Sequence, residues 1–161
     1  MLVRDVMTAN PSCCEIGETI ASPTAIMSSR RLGFLPVLDV RTGREVVGVI
    51  TDRDVMVQAS HLARDDRKLY VADCMTQHPV CCHDSDSVNY AAQLMEENRV
   101  RRLPVLNSQS HLCGVVSISD LVRHNAIGAG RLYELLNVLS AHRRGPAADA
   151  VPKTGDLKVA V

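Results

Sequence analysis

The chain has 161 residues, with 18 Lys and Arg against 18 Asp and Glu, so its formal net charge is zero. That balance gives no global attraction to nucleic acid or to a membrane surface, and one Phe, three Tyr and no Trp leave no aromatic platform for stacking bases. Hydrophobic residues at 46% and charged residues at 22% are the proportions of a soluble globular protein, one ordinary domain or two small ones.

The longest apolar runs, such as Val46, Val47, Gly48, Val49 and Ile50, are far too short to span a bilayer. No apolar stretch of signal-peptide length follows the opening residues 1–5. A cytoplasmic location without membrane contact is therefore expected, and there the six cysteines are expected to be reduced.

In chain order, Cys13 and Cys14 follow Pro11 in a segment that ends at Gly17 and suits a short strand. Thr19 is placed as an N-cap before a helix with apolar spacing from Ile20 to Met27. Pro23 lacks an N–H that this helix would use, which predicts a late or distorted start. A strand is expected over 34–40, a turn over 41–44, a second strand over 46–50, and a helix from Asp52.

The same order then returns. Cys81 and Cys82 follow Pro79; Ser87 caps a helix carrying Val88, Ala91, Ala92, Leu94 and Met95. Strands follow at 103–106 and 113–116 around a turn at 107–110, and a helix begins at Ile118. Adding 68 to a residue number in the first half lands on its likeness in the second: Asp5, Met7 and Thr8 on Asp73, Met75 and Thr76, and Leu35 to Leu38 on Leu103 to Leu106. After a turn two residues shorter, Gly48, Thr51 and Asp54 correspond to Gly114, Ser117 and Asp120. One unit is used twice, which favours a pseudo-symmetric pair over a solenoid. The order within each unit is strand, helix, strand, strand, helix. Such a unit is marginal alone and leaves one face of its sheet poorly covered, and pairing the copies covers that face.

The repeated pattern DVMT…P, then LPVLD or RRLPVLN, then GVITDRD or GVVSISD, resembles tandem cystathionine-β-synthase-type (CBS) domains, a Bateman module. The resemblance implies an α/β (α+β) fold of two pseudo-symmetric βαββα units packed through their sheets, with units at 3–60 and 71–126. It also implies two clefts between the repeats for adenosine-containing ligands (AMP, ADP, ATP, S-adenosylmethionine or a dinucleotide), a disc-shaped dimer, and a regulatory role without a catalytic cofactor. Residues 127–144 are read as a C-terminal helix with Leu132, Leu135, Leu136 and Leu139 on one face, packing on the module or a dimer mate, and 145–161 as a loose tail.

Thr51 with Asp54, and Ser117 with Asp120, have the spacing of a capping box. A helix N-terminus after a strand also presents free N–H groups and the positive end of the helix dipole, which favour phosphate. A hydroxyl there adds a hydrogen bond, and a carboxylate one turn later can accept both hydroxyls of a ribose. The family resemblance assigns Asp54 and Asp120 that ribose role. It places the adenine slots at Thr8, Asn10, Pro11 and Ser12 with Leu35 and Pro36, and at Thr76, His78, Pro79 and Val80 with Leu103 and Pro104. Pro36 and Pro104 interrupt apolar strands and mark an edge or a break. Cations for phosphate are Arg53, Arg101, Arg102, Arg123 and His124, Arg being suited to bidentate contacts. The residues between hydroxyl and acid differ, Asp52 and Arg53 in one copy against Ile118 and Ser119 in the other, so the clefts are expected to differ in ligand or affinity.

Other classes have less behind them. No P-loop, nucleophile elbow or HExxH pattern points to an enzyme. Adjacent cysteines on a strand face opposite sides, so neither pair converges on one ion, although a thiol- or metal-responsive sensor built across the copies is an alternative. The expected reading is a stand-alone regulatory module, a homodimer that signals to an effector protein and binds no nucleic acid.

Overall fold

The computed structural model describes residues 1–42, 45–62 and 68–141, with residues 58–62 described by backbone alone. The first half runs through a 3-10 turn Val3–Asp5, β1 Thr8–Ala9, β2 Cys14–Glu15, α1 Ala21–Arg30, β3 Phe34–Asp39, a second 3-10 turn Val40–Thr42, β4 Glu45–Thr51 and α2 Asp52–Leu62. The second half repeats this as α3 Val71–Cys74, β5 Thr76–Gln77, β6 Cys82–His83, α4 Val88–Glu97, β7 Arg102–Leu106, β8 Leu112–Ser117 and α5 Ile118–Arg123, and α6 Ala129–Ala141 follows. The expected turn residues 43 and 44, the helix end 142–144 and the tail 145–161 lie outside the described residues.

The described strands form two sheets of four, in the orders β2-β3-β4-β5 and β1-β8-β7-β6. Their registers repeat the sequence correspondence. Cys14 pairs in parallel with Val37 as Cys82 does with Val105, and Phe34 faces Thr51 as Arg102 faces Ser117.

The outer strand of each sheet comes from the other repeat. β1 pairs with β8, setting Thr8 against Val115, and β5 pairs with β4, setting Thr76 against Val49. The cores follow the same exchange. Val3 and Val6 are buried among Val88, Met95, Leu103 and Leu121, whereas Val71 and Cys74 are buried among Met27, Leu35, Val37 and Ile50. Backbone bonds pin each crossing segment: Val3 N–H to Asp86 C=O at 2.8 Å, and Val71 N–H to Glu18 C=O at 2.8 Å. The acid of each D-x-M-T motif caps its crossing turn, Asp5 accepting the Leu2 N–H at 2.8 Å and Asp73 the Tyr70 N–H at 3.0 Å. The methionine of that motif then lies on a glycine of the other repeat, Met7 on Gly114 and Met75 on Gly48.

The two copies differ at their first helix. Ser87 caps α4 as expected, accepting the Tyr90 N–H at 3.1 Å, and the Ala91 N–H makes the first helical bond to the Ser87 carbonyl at 3.1 Å. Pro23 corresponds to Ala91 and has no N–H to give. Thr19 therefore does not cap α1. Ile20 is the N-cap, without a side-chain hydrogen bond, and the first helical bond runs from the Thr24 N–H to the Ile20 carbonyl at 3.1 Å.

The prolines of β3 and β7 correct the edge expectation, since both strands are interior to their sheets. The Pro36 carbonyl faces β2, where the Cys14 thiol lies 4.0 Å away, and the Pro104 carbonyl stands 3.9 Å from the Cys82 thiol in the same way. The N and O of one strand residue face the same side, so the missing donor also faces β2 or β6. Each of those strands is only two residues long and pairs from the next position onward, Cys14 with Val37 and Cys82 with Val105. The proline thus costs no ladder bond.

Finally, α6 lays Leu135 and Leu139 into the core of the second unit, and Arg131 ties it to Glu96 on α4. The expected apolar face packs on the module itself, with Leu136 left exposed.

Candidate functional site

Both expected capping boxes form. The Thr51 N–H and hydroxyl donate to Asp54 Oδ2 at 2.8 and 2.7 Å, and the Asp54 N–H returns to Thr51 Oγ1 at 3.3 Å. Ser117 and Asp120 repeat this at 2.9, 2.5 and 3.3 Å. The boxes differ in what else holds the acid. Asp120 is buried and its Oδ1 accepts from Arg123 Nη1 at 3.2 Å, whereas Asp54 is half-buried.

The exchange of outer strands makes each cleft a joint product of both repeats. Because β1 pairs with β8, the segment from Thr8 to Ser12 lies beside the N-terminus of α5. The first cleft, of about 440 Å³, is lined by Thr8, Asn10, Pro11 and Ser12 on one side and Val115, Ser117, Ser119, Asp120 and Arg123 on the other. Residues 30–34 and Arg102 close it. Four arginines (Arg30, Arg31, Arg102 and Arg123) against one carboxylate make it electropositive. Arg30 is held to Ser12, with Nη1 donating to Oγ at 2.9 Å.

The second cleft, also about 440 Å³, is the pseudo-symmetric counterpart. Thr76, His78, Pro79 and Val80 of the second repeat meet Val49 and Thr51 of the first, and Phe34, Asn98, Val100, Arg101, Arg102 and Pro104 complete it. Its lining is more apolar than that of the first.

Backbone geometry repeats at both sites. Asn10 and His78 have φ of 50° and 51°, and Arg31 and Arg99 have φ of 53° and 54°. The left-handed residue after β1 or β5 turns the chain off the sheet toward the cleft. Asparagine and histidine are among the non-glycine residues that tolerate this conformation best.

Several expected residues lie elsewhere. Leu35 and Leu103 are fully buried in the two cores, and their side chains reach neither cleft. Pro36 is buried and lines neither cleft, whereas Pro104 lines the second. Arg53 and Asp54 lie outside the second cleft's lining although Thr51 belongs to it, and His124 lies outside the first although Arg123 belongs to it. The sequence reading named Arg101 and Arg102 but missed residues 30–34 of the first cleft and Asn98 and Val100 of the second. The match of Arg31 to Arg99 under the same offset was the available signal.

One cysteine of each repeated pair fills a core position. Cys14 and Cys82 are buried in different cores. Burial pushes both thiols up to about 12, and Cys81 up to about 11. A thiol held protonated is a poor nucleophile and a poor metal ligand. Among the described residues no group of three or more His, Cys, Asp or Glu is placed to hold a metal ion. No described helix is long and apolar enough to cross a membrane.

The CBS domain family model matches residues 3–60 and, again, residues 71–126. The chain belongs to the CBS domain family. Protein YlbB of Bacillus subtilis is 29% identical to this CBS pair over 119 residues, 74% of this chain and 78% of YlbB. Among solved structures, CBSX2 of Arabidopsis thaliana in complex with AMP is similar at 27% identity and a TM-score of 0.65, over 77% of this chain and 95% of CBSX2. Hypoxic Response Protein I, a protein of Mycobacterium tuberculosis solved with two coordinated zinc ions, is similar at 26% identity and a TM-score of 0.67, over 77% of this chain and 98% of that one.

Proposed function

We propose that this CBS pair is a regulatory module that binds an adenosine-containing ligand between its repeats and passes the bound state to an effector protein. The observation that carries the reading is the composition of the first cleft. It joins a helix N-terminus with its hydroxyl (Ser117), a carboxylate one turn on (Asp120) and four arginines in a space of about 440 Å³. Those groups match a ribose and a phosphate, and the volume suits a ligand of nucleotide size. AMP bound to CBSX2, a relative at 27% identity, supports the same ligand class.

The mechanism is a population shift. Each cleft is walled by both repeats, so a ligand that bridges the walls favours one mutual orientation of the repeats, and a partner that reads the orientation reads the ligand. Binding, not catalysis, is the output. A homodimer is part of the proposal. Met56 on α2 is 71% exposed, and its counterpart Val122 on α5 is 47% exposed, which puts matched apolar residues on two equivalent helices.

Calorimetry on ligand-stripped protein with AMP, ADP, ATP, NAD and S-adenosylmethionine tests the central claim. At least one is expected to bind, and Asp120→Ala is expected to abolish binding in the first cleft. Silence across the whole panel would overturn the reading. Light scattering of Met56→Lys with Val122→Lys tests the dimer, which is expected to dissociate.

The zinc of Hypoxic Response Protein I does not shift this choice. Cys14 and Cys82 lie in separate cores with their thiols on proline carbonyls, and neither can join a shared site without unpacking.

A further inference from the structure

The two clefts share a wall. Phe34 opens β3 and Arg102 opens β7, and the offset of 68 that relates the repeats carries one onto the other. Phe34 lies opposite Thr51, and Arg102 lies opposite Ser117, so each stands beside the helix-capping hydroxyl of its own unit. Both residues line both clefts. Arg31 and Arg123 line only the first cleft, and Arg101 only the second.

Arg30 is bonded to Ser12 and Arg123 to Asp120, whereas Arg102, like Arg31 and Arg101, is exposed and forms no ion pair with a described residue. Of those three arginines, Arg102 alone lines both clefts. Where the other repeat has an aromatic ring, this repeat has a long side chain with a charge at its end. One guanidinium can hold one phosphate in bidentate fashion at a time.

We propose that Arg102 is a shared anion-binding residue that couples the clefts. A phosphate in the first cleft draws the guanidinium to that side, and the second cleft then binds a phosphate more weakly. The coupling is reciprocal, as linkage requires. It acts on phosphate alone, so an uncharged adenosyl ligand in the second cleft is not disfavoured. The apolar lining of that cleft suits such a ligand, and the pair is thereby biased toward one charged and one neutral occupant. This inference rests on the adenosyl reading given above.

Calorimetric titration with AMP and with adenosine is the test. Val80→Trp fills the second cleft and Ser119→Trp fills the first, so the two variants give the affinity of each cleft alone. In the unaltered protein the second AMP is expected to bind about five-fold or more weakly than its cleft does alone. Adenosine is expected to show no such penalty, and Arg102→Met to remove it for AMP. Arg31→Met takes a cation from one cleft only and is expected to keep the penalty. A penalty that survives in Arg102→Met would assign it to repulsion between the two phosphates and overturn the proposal. An equal penalty for adenosine, or none for AMP, would overturn it as well while leaving the adenosyl reading intact. Failure of both ligands to bind any variant would remove both readings together.

Discussion

A methyl group added to Gly48 would sit 2.5 Å from the sulfur of Met75, and 3.1 Å from the Thr76 carbonyl. This one contact joins two motifs that look independent in the sequence. The methionine belongs to the D-x-M-T motif of the second repeat and the glycine to the G-V-x-T motif of the first. Met7 and Gly114 make the same contact in the other direction. The glycine is required by close approach, because the crossing strand lies against β4 only if that position has no side chain.

Gly48→Ala should therefore destabilise the fold. The Met75 side chain is flexible and can move in part, so the cost is set at about 1 kcal/mol, near the low end for overpacking. Urea denaturation measures it. In a Met75→Ala background the same substitution should cost less, because the clashing sulfur is gone. Equal costs in the two backgrounds would separate the glycine from the methionine.

The exchanged strands also make the sequence repeat differ from the folding unit. Residues 1–67 contain one whole repeat but lack Val71 and Cys74, which fill its core, and lack β5, which completes its sheet. Each half expressed alone should show little cooperative unfolding, and mixing the halves should restore it. Circular dichroism during thermal melting is the measurement. A half that melts cooperatively as a monomer would contradict the exchange.

Much of this arrangement was legible in the sequence, and the illegible part has a physical cause. The repeat, the order of elements, the Ser87 cap and the two capping boxes each depend on local spacing. The exchange does not. β1 and β5 are two residues long, and the turns before them three or four, too short to show a period. Each could pair within its own repeat or with the other, and the two copies present the same pattern to both choices. That ambiguity hid which capping hydroxyl would meet which crossing segment in a cleft. Leu35 and Leu103 were assigned to the clefts by the family resemblance, whereas strand alternation turns their side chains into the cores.

Asp39 offers a test by pH. Its carboxylate accepts from Arg41 at three points, Nε at 3.0 Å, Nη2 at 2.9 Å and the backbone N–H at 2.9 Å. The hydrogen bonds from Arg41 hold it below the usual carboxylate range. The unfolded chain takes up this proton at a higher pH than the folded one. The contribution is therefore complete above the ordinary carboxylate range and is lost as pH falls through it. Its counterpart in the second repeat is Asn107, whose Oδ1 accepts the Gln109 and His111 N–H groups at 2.9 and 3.0 Å. Asp39→Asn copies that solution. It should lower stability slightly at neutral pH, where the contribution of the Arg41 contacts to the carboxylate is complete, and lessen the loss of stability on acidification, measured as the urea midpoint from pH 7 to pH 3.

At the alkaline end the buried cysteines act with the opposite sign. Cys14 and Cys82 are pushed up to about 12 by burial, with Glu18 and Asp86 respectively adding repulsion. Above pH 9 the unfolded chain gives up these thiol protons and the folded one keeps them. Stability is then unaffected by these thiols below pH 9 and falls as pH rises toward 12, by up to about 1.4 kcal/mol per pH unit for each thiol. Replacing both residues by valine should flatten the loss between pH 9 and pH 10.5, which the urea midpoint at each pH would show. The same two thiols should react with iodoacetamide only as fast as the protein unfolds. Rapid labelling of Cys14 or Cys82 in the native state would mean that the vicinal pairs are reactive, and would return the thiol-sensor reading to consideration.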